Sequence, residues 1–274
     1  GMLYPAALKH HAWKKTVLRA LWYNRDILQA TCLHATCTQE LAHCRSFGYR
    51  GPVAVIPNPV TIPKEADWKE EAAGESDYRR IGFLGRLHPI KKVEHLLYAI
   101  ALLGPEERRK MRLTIMGSGA GGYERFLQSE VHRLGIEGEV EFAGFVEGGE
   151  KFRMLSALSA LMVPSVQENF GMIVPEALAC GTPVYASLGT PWSVLETEHC
   201  GWWRDNSPET IARTIRDILG LPESVLTEMG RNGRKLVEEY FEPLKVAQMM
   251  NRLYEWIIKD GLAPESRPKF VDVL

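Results

Sequence analysis

From Ile81 onward, short apolar runs alternate with longer stretches of helical periodicity, and no other feature restricts the fold of this chain as much. Runs at 81–84, 111–116, 140–142, 160–163 and 184–186, with Trp202-Trp203 beyond them, have strand length and few polar residues. Strands covered on both faces look like this. Helical patterns fill the gaps at 93–103, 123–134, 151–158 and 175–179. Later helices open at Pro208, Pro222 and Pro243, since proline suits a first helical turn. Strand–helix alternation predicts βαβ units, hence an α/β, Rossmann-like, doubly wound parallel sheet over 81–242.

Residues 1–63 read differently, as a partial and mostly helical segment. Residues 3–28 carry Lys9, Lys14, Lys15, Arg19 and Arg25 and no acid before Asp26. Trp13, Val17, Leu18, Leu21 and Trp22 recur at helical spacing, which predicts a basic amphipathic helix. His10-His11 reads as a polar part of that helix. A strand at 33–35, a helix over 39–47 capped by Thr38, and a strand at 53–56 stopped by Pro57-Asn58-Pro59 follow. Residues 64–80 hold six acids and read as a linker. Residues 243–274 read as a C-terminal helix and, beyond Gly261, a loose tail.

Charge narrows the partners. A formal net charge of −1 gives no field suited to nucleic acid. Five cysteines, an odd number without a CxxC pair, argue for reduced thiols in a cytoplasmic protein. No apolar run is long enough to span a bilayer. The basic, aromatic-bearing N-terminal helix leaves three readings open: packing against the rest of its own N-terminal domain, peripheral contact with the anionic inner membrane face, or a homodimer contact.

Ligands of an open parallel sheet sit at the carboxyl ends of its strands. Three segments there carry chemistry. Gly85-Arg86-Leu87-His88-Pro89-Ile90-Lys91 follows the first strand, and Arg86 and Lys91 suit phosphate oxygens. Alone, it reads equally as a solvated basic turn. Gly117-Ser118-Gly119-Ala120-Gly121-Gly122 satisfies GxGxxG between a strand and a helix. The next strand ends Phe142-Ala143-Gly144-Phe145 without the acid that a dinucleotide site needs, so a nicotinamide cofactor is not expected. The third segment runs from Pro164 to Val184. Glu176 alone could be a helix cap, but Glu168, Asn169, Phe170 and Gly171 together are not explained that way. Two carboxylates at this spacing can grip sugar and ribose hydroxyls.

Glu168 to Glu176 is similar to the EX7E motif of family 4 glycosyltransferases. Gly85-Arg86 with Lys91 resembles their GR…KG phosphate motif, and residues 177–184 their EAxACGxPV run. Residues 30–63, with Val55-Ile56-Pro57-Asn58, resemble the last strands of the family's N-terminal domain. The resemblance covers nearly the whole chain and implies the C-terminal half of a GT-B fold with the end of the acceptor domain. It implies retaining transfer of a sugar from a nucleotide-diphosphate sugar, without a metal or other cofactor, to an acceptor sugar or lipid-linked glycan in bacterial polysaccharide or lipopolysaccharide synthesis. Arg86, Lys91 and Glu168 would be catalytic. Donor binding would involve Gly85, Arg86, Lys91, Gly117, Gly119, the Phe145-Val146 backbone at the base, Glu168, Asn169, Phe170, Gly171, and Glu176 at the ribose. A non-catalytic nucleotide-sugar module and a nucleotide-sugar epimerase on the same fold stay open beside this reading. Lys92 and Pro59 depart from the family, standing where its motifs have glycine. With most of the acceptor domain absent from the sequence, the chain alone is expected to bind donor but not to transfer.

Overall fold

The computed structural model describes residues 24–64, 77–119 and 122–273. The expected basic helix over 3–28 lies outside them except for its end, where α1 spans Asn24–Leu28. The chain divides into two compact units, Gly1–Pro59 with Tyr240–Leu274, and Val60–Glu239.

In the first unit, β1 (Leu33–Ala35), α2 (Thr38–Ser46) and β2 (Val53–Val55) are joined by α11 (Pro243–Ile258) and β9 (Val271–Asp272). β1 and β2 pair in parallel, and β9 runs antiparallel on the far side of β2. The C-terminal segment is therefore not a loose tail. Val271 is buried with Ala54, Ile56, Val246, Leu253 and Trp256, and Arg45 holds Asp272. Thr38 is not the cap of α2 either. That position falls to Cys37, and Glu40 reaches back to Thr36, accepting from its backbone N–H at 2.8 Å and its hydroxyl at 2.7 Å.

The second unit contains, in chain order, β3 (Arg79–Leu84), α3 (Val93–Ala101), α4 (Pro105–Arg109), β4 (Met111–Met116), α5 (Tyr123–Leu134), β5 (Val140–Gly144) and α6 (Gly148–Ser156). It continues through β6 (Ala160–Val163), α7 (Ile173–Ala179), β7 (Val184–Ser187), α8 (Val194–Thr197), β8 (Gly201–Arg204), α9 (Pro208–Gly220) and α10 (Glu223–Tyr240). All six strands are parallel, in the order β5-β4-β3-β6-β7-β8. This is the expected doubly wound sheet. β3 starts two residues earlier than its apolar run. Arg79 pairs with Met111, its N–H donates to the Lys110 carbonyl at 2.8 Å, and the Arg112 guanidinium lies 4.9 Å from the centre of the Tyr78 ring. The linker thus ends before Arg79.

Ile81, Phe83, Leu113, Ile115 and Met162 are buried with Leu96, Leu97 and Ile100 of α3 and Ile211, Ile215 and Ile218 of α9. Each such side chain contributes about 1.5–3 kcal/mol by leaving water. Strand order also fixes where a ligand can go. The chain moves outward from β3 through β4 to β5, then returns to lay β6 on the other side of β3. Ligands of such a sheet bind outside the carboxyl ends of its strands, near that reversal.

Candidate functional site

The loop after β3 and the loop after β4 touch backbone to backbone. Gly85 donates its N–H to the Met116 carbonyl at 3.0 Å, and Leu87 donates to Ser118 at 2.9 Å. Contact this close leaves no room for side chains. A Cβ on Gly117, whose φ is +145°, would sit 1.9 Å from the Gly85 carbonyl oxygen, and one on Gly119 would sit 2.3 Å from that of Leu87. The glycines are thus required first by the joining of two loops. Between these loops and the end of β5 lies a cavity of about 430 Å³ lined by Gly85, Arg86, Gly117, Gly119, Phe145 and Val146, with Leu84 and Ser118. Six of the residues expected at the site meet there. Arg86 is exposed, and Phe145 is 68% exposed.

Past Arg86, Pro89–Lys91 form a single 3-10 turn, opened by His88 accepting from the Ile90 N–H at 3.2 Å. Lys92 then adopts the left-handed conformation, φ 53°. That conformation explains why glycine stands there in the motif this segment resembles. Its ammonium lies 3.3 Å from Glu94, whose other oxygen accepts the Tyr123 hydroxyl.

The loop after β6 lies against this turn, with the Val166 N–H on the Ile90 carbonyl at 2.8 Å. Lys91 Nζ sits 2.5 Å from Glu168 Oε1, and the Ser165 hydroxyl donates to the same oxygen at 2.7 Å. The Glu168 N–H donates to Gly189 in the loop after β7, at 3.0 Å. Gly171 has φ +75°, and α7 begins two residues later. Pro175 therefore sits inside the first turn rather than opening the helix, where its missing N–H costs nothing. Glu176 follows it and pairs with Lys151 of α6 at 2.9 Å. Three residues of this arrangement escape sequence reasoning: Lys151, Ser165 and Trp192. Trp192 is buried, donates its indole N–H to the Phe170 carbonyl at 2.5 Å, and meets the Phe170 ring edge-on at 5.4 Å. Lys151 and Trp192 lie outside the three segments read from the sequence, and Ser165 lies inside the third without a role assigned to it there.

The expected residues therefore form two groups in one unit. Arg86, the glycines, Phe145 and Val146 surround the cavity. Lys91 pairs with Glu168 on the loops after β3 and β6, and Glu176 of α7 pairs with Lys151 of α6. Cys180, at the end of α7, has no chemical part, because burial pushes its thiol up to about 12, as it does that of Cys200. Both should resist iodoacetamide near neutral pH in the folded chain and label after unfolding, as read by mass spectrometry. Rapid native labelling of Cys180 would show that α7 is not packed as described. Among the described residues, no three His, Cys, Asp or Glu side chains gather as a metal site, and no helix is long and apolar enough to cross a membrane.

An open parallel sheet of six strands, with a glycine-lined cavity at the carboxyl ends of β3, β4 and β5, defines a doubly wound α/β unit. Comparison identifies which: the chain belongs to the family of glycosyl transferases group 1, whose match spans residues 64–236. It is 29% identical over 209 residues to an uncharacterized glycosyltransferase of Methanocaldococcus jannaschii, covering 72% of this chain and 52% of that protein. It is 32% identical over 206 residues to the D-inositol 3-phosphate glycosyltransferase of Streptomyces avermitilis, covering 69% and 44%. The chain thus spans about half the length of the curated relatives it matches. Its fold is that of GT-B structures. Anabaena Alr3699/HepE, in complex with UDP and glucose, superposes with a TM-score of 0.77 at 22% identity, over 93% of this chain and 70% of that one. Sucrose-phosphate synthase from Thermosynechococcus elongatus gives 0.77 at 25% identity, over 89% and 62%.

Proposed function

We propose that this chain is the donor-binding half of a retaining, family 4 glycosyltransferase that takes a nucleotide-diphosphate sugar as donor and requires no metal. The observation that carries the reading is the pairing of Arg86 at the cavity mouth with the Lys91–Glu168 ion pair across the β3–β6 reversal. In this reading the nucleotide enters the cavity with its base beside Phe145 and Val146. Arg86 and Lys91 meet the diphosphate and hold its charge as the bond to the sugar breaks, an electrostatic contribution made by groups already in position. Glu168 contacts the sugar with the Asn169–Gly171 backbone, and Glu176 takes the ribose. The acceptor, a sugar or lipid-linked glycan of bacterial polysaccharide or lipopolysaccharide synthesis, is assigned to the part of the relatives' length that this chain does not span. Support comes from relatives that are themselves named glycosyltransferases and from a neighbour in complex with UDP and glucose.

Two substitutions test the assignment by calorimetry. Glu176→Ala should weaken a nucleoside diphosphate and its sugar derivative alike, because both contain the ribose. The loss of one charged hydrogen bond corresponds to about 1.5–3 kcal/mol. Glu168→Ala should weaken the sugar nucleotide only. It should leave the diphosphate bound as well or better, since Lys91 no longer has a carboxylate to satisfy. Equal losses for both ligands in both variants would contradict these roles.

A further inference from the structure

We infer that Trp192 is a positioning residue for the donor sugar, acting through the Phe170–Gly171 peptide; this rests on the proposed reading of the site. The loop after β7 supports the loop after β6 from behind. Ser187 donates its hydroxyl to the Ser165 carbonyl, and Gly189 accepts from the Glu168 N–H. Gly189 itself admits no side chain, since a Cβ there would lie 1.9 Å from the Val166 carbonyl oxygen. Trp192, only 2% exposed, completes the support with its 2.5 Å hydrogen bond to the Phe170 carbonyl. Its Nε1 also lies 3.5 Å from where a Cβ of Gly171 would be. Trp203 extends the support by one step, donating its own indole N–H to the Thr190 carbonyl at 3.0 Å.

The consequence follows from peptide geometry. A trans peptide is planar, and its carbonyl and N–H point in opposite directions. Phe170 supplies the carbonyl and Gly171 the N–H of one such plane. Fixing the carbonyl on the indole therefore aims the Gly171 N–H away from the protein interior. Gly171, at φ +75° and without a side chain, would otherwise let this plane rotate. The Gly171 N–H has no hydrogen-bond partner among the described residues, and it lies three residues from Glu168. Trp192 thus sets the direction of a backbone donor that stands beside the carboxylate assigned to the sugar.

Trp192→Phe keeps an aromatic ring against Phe170 and deletes only the N–H. Calorimetry with UDP, GDP and ADP and their glucose derivatives, on the wild-type chain and the variant, reads the effect. The inference requires that the preferred sugar nucleotide bind about tenfold more weakly to the variant while the matching diphosphate keeps its affinity. Trp203→Phe, a milder change on a partly exposed residue, should give the same split at smaller size, and serves if Trp192→Phe does not fold. Equal losses for both ligands, or no loss for either, would overturn the inference while leaving the donor reading intact. A wild-type chain that binds none of the six ligands would remove that reading, and the inference with it.

Discussion

A Gly117→Ala variant is expected to lose about 2–5 kcal/mol of stability, enough to unfold a marginal domain. Two causes add. The φ of +145° is one that residues with a side chain rarely adopt, and the new methyl would lie 1.9 Å from the Gly85 carbonyl oxygen. That oxygen is main chain at the end of the central strand β3, so it cannot swing aside as a side chain would. Relief requires separating the loops after β3 and β4, which also breaks the Gly85–Met116 hydrogen bond and opens the cavity that Arg86 lines. Urea denaturation measures the loss. Gly138→Ala is the control, since nothing lies within 4 Å of the position its methyl would take. A Gly117→Ala chain as stable as this control would refute the close contact of the two loops.

The second large effect concerns charge. Removing Arg86 and Lys91 together should weaken nucleoside diphosphate binding by more than either single change, each of which removes a charge-assisted hydrogen bond of about 1.5–3 kcal/mol. The single variants will differ in kind. Arg86 is exposed and has no ion-pair partner among the described residues, so Arg86→Ala reports its contact with the ligand alone. Lys91→Ala also leaves Glu168 without its cation, a partly buried carboxylate placed where the diphosphate must approach. Two groups on one anion are not additive, and a double-mutant cycle with Glu168→Ala separates the direct loss from this repulsion. A double variant that still binds at the wild-type level would place the phosphates elsewhere.

The second unit was legible in the sequence where burial is two-sided. Ala160-Leu161-Met162-Val163 has the length and composition of a strand covered on both faces, and β6 is buried along its whole length. The segments at strand ends were legible because ligands of an open parallel sheet sit at the carboxyl ends of its strands, and because Gly85-Arg86 with Lys91 and Glu168 to Glu176 resemble known motifs. Partners far apart in sequence were not legible. Val271 and Asp272 read as tail because the strand they pair with, Val53–Val55, lies more than two hundred positions earlier. Lys151 and Glu176 carry no common pattern, yet α6 and α7 bring them within 2.9 Å. The glycines at 117 and 119 were found for one reason and are needed for another: a GxG repeat announces backbone exposed to a ligand, but not the second loop pressed against it. Pro175 misled by two residues, because proline is tolerated throughout the first turn and marks its neighbourhood rather than its first residue.

In the proposed reading this unit holds a nucleoside diphosphate through its own cations. Isothermal titration of the chain with UDP, GDP and ADP, each with excess EDTA and again with magnesium, tests it most directly. Saturable one-to-one binding of at least one of the three is expected, with the same affinity in both buffers. Binding that appears only when magnesium is supplied, or none with any of the three, would contradict it.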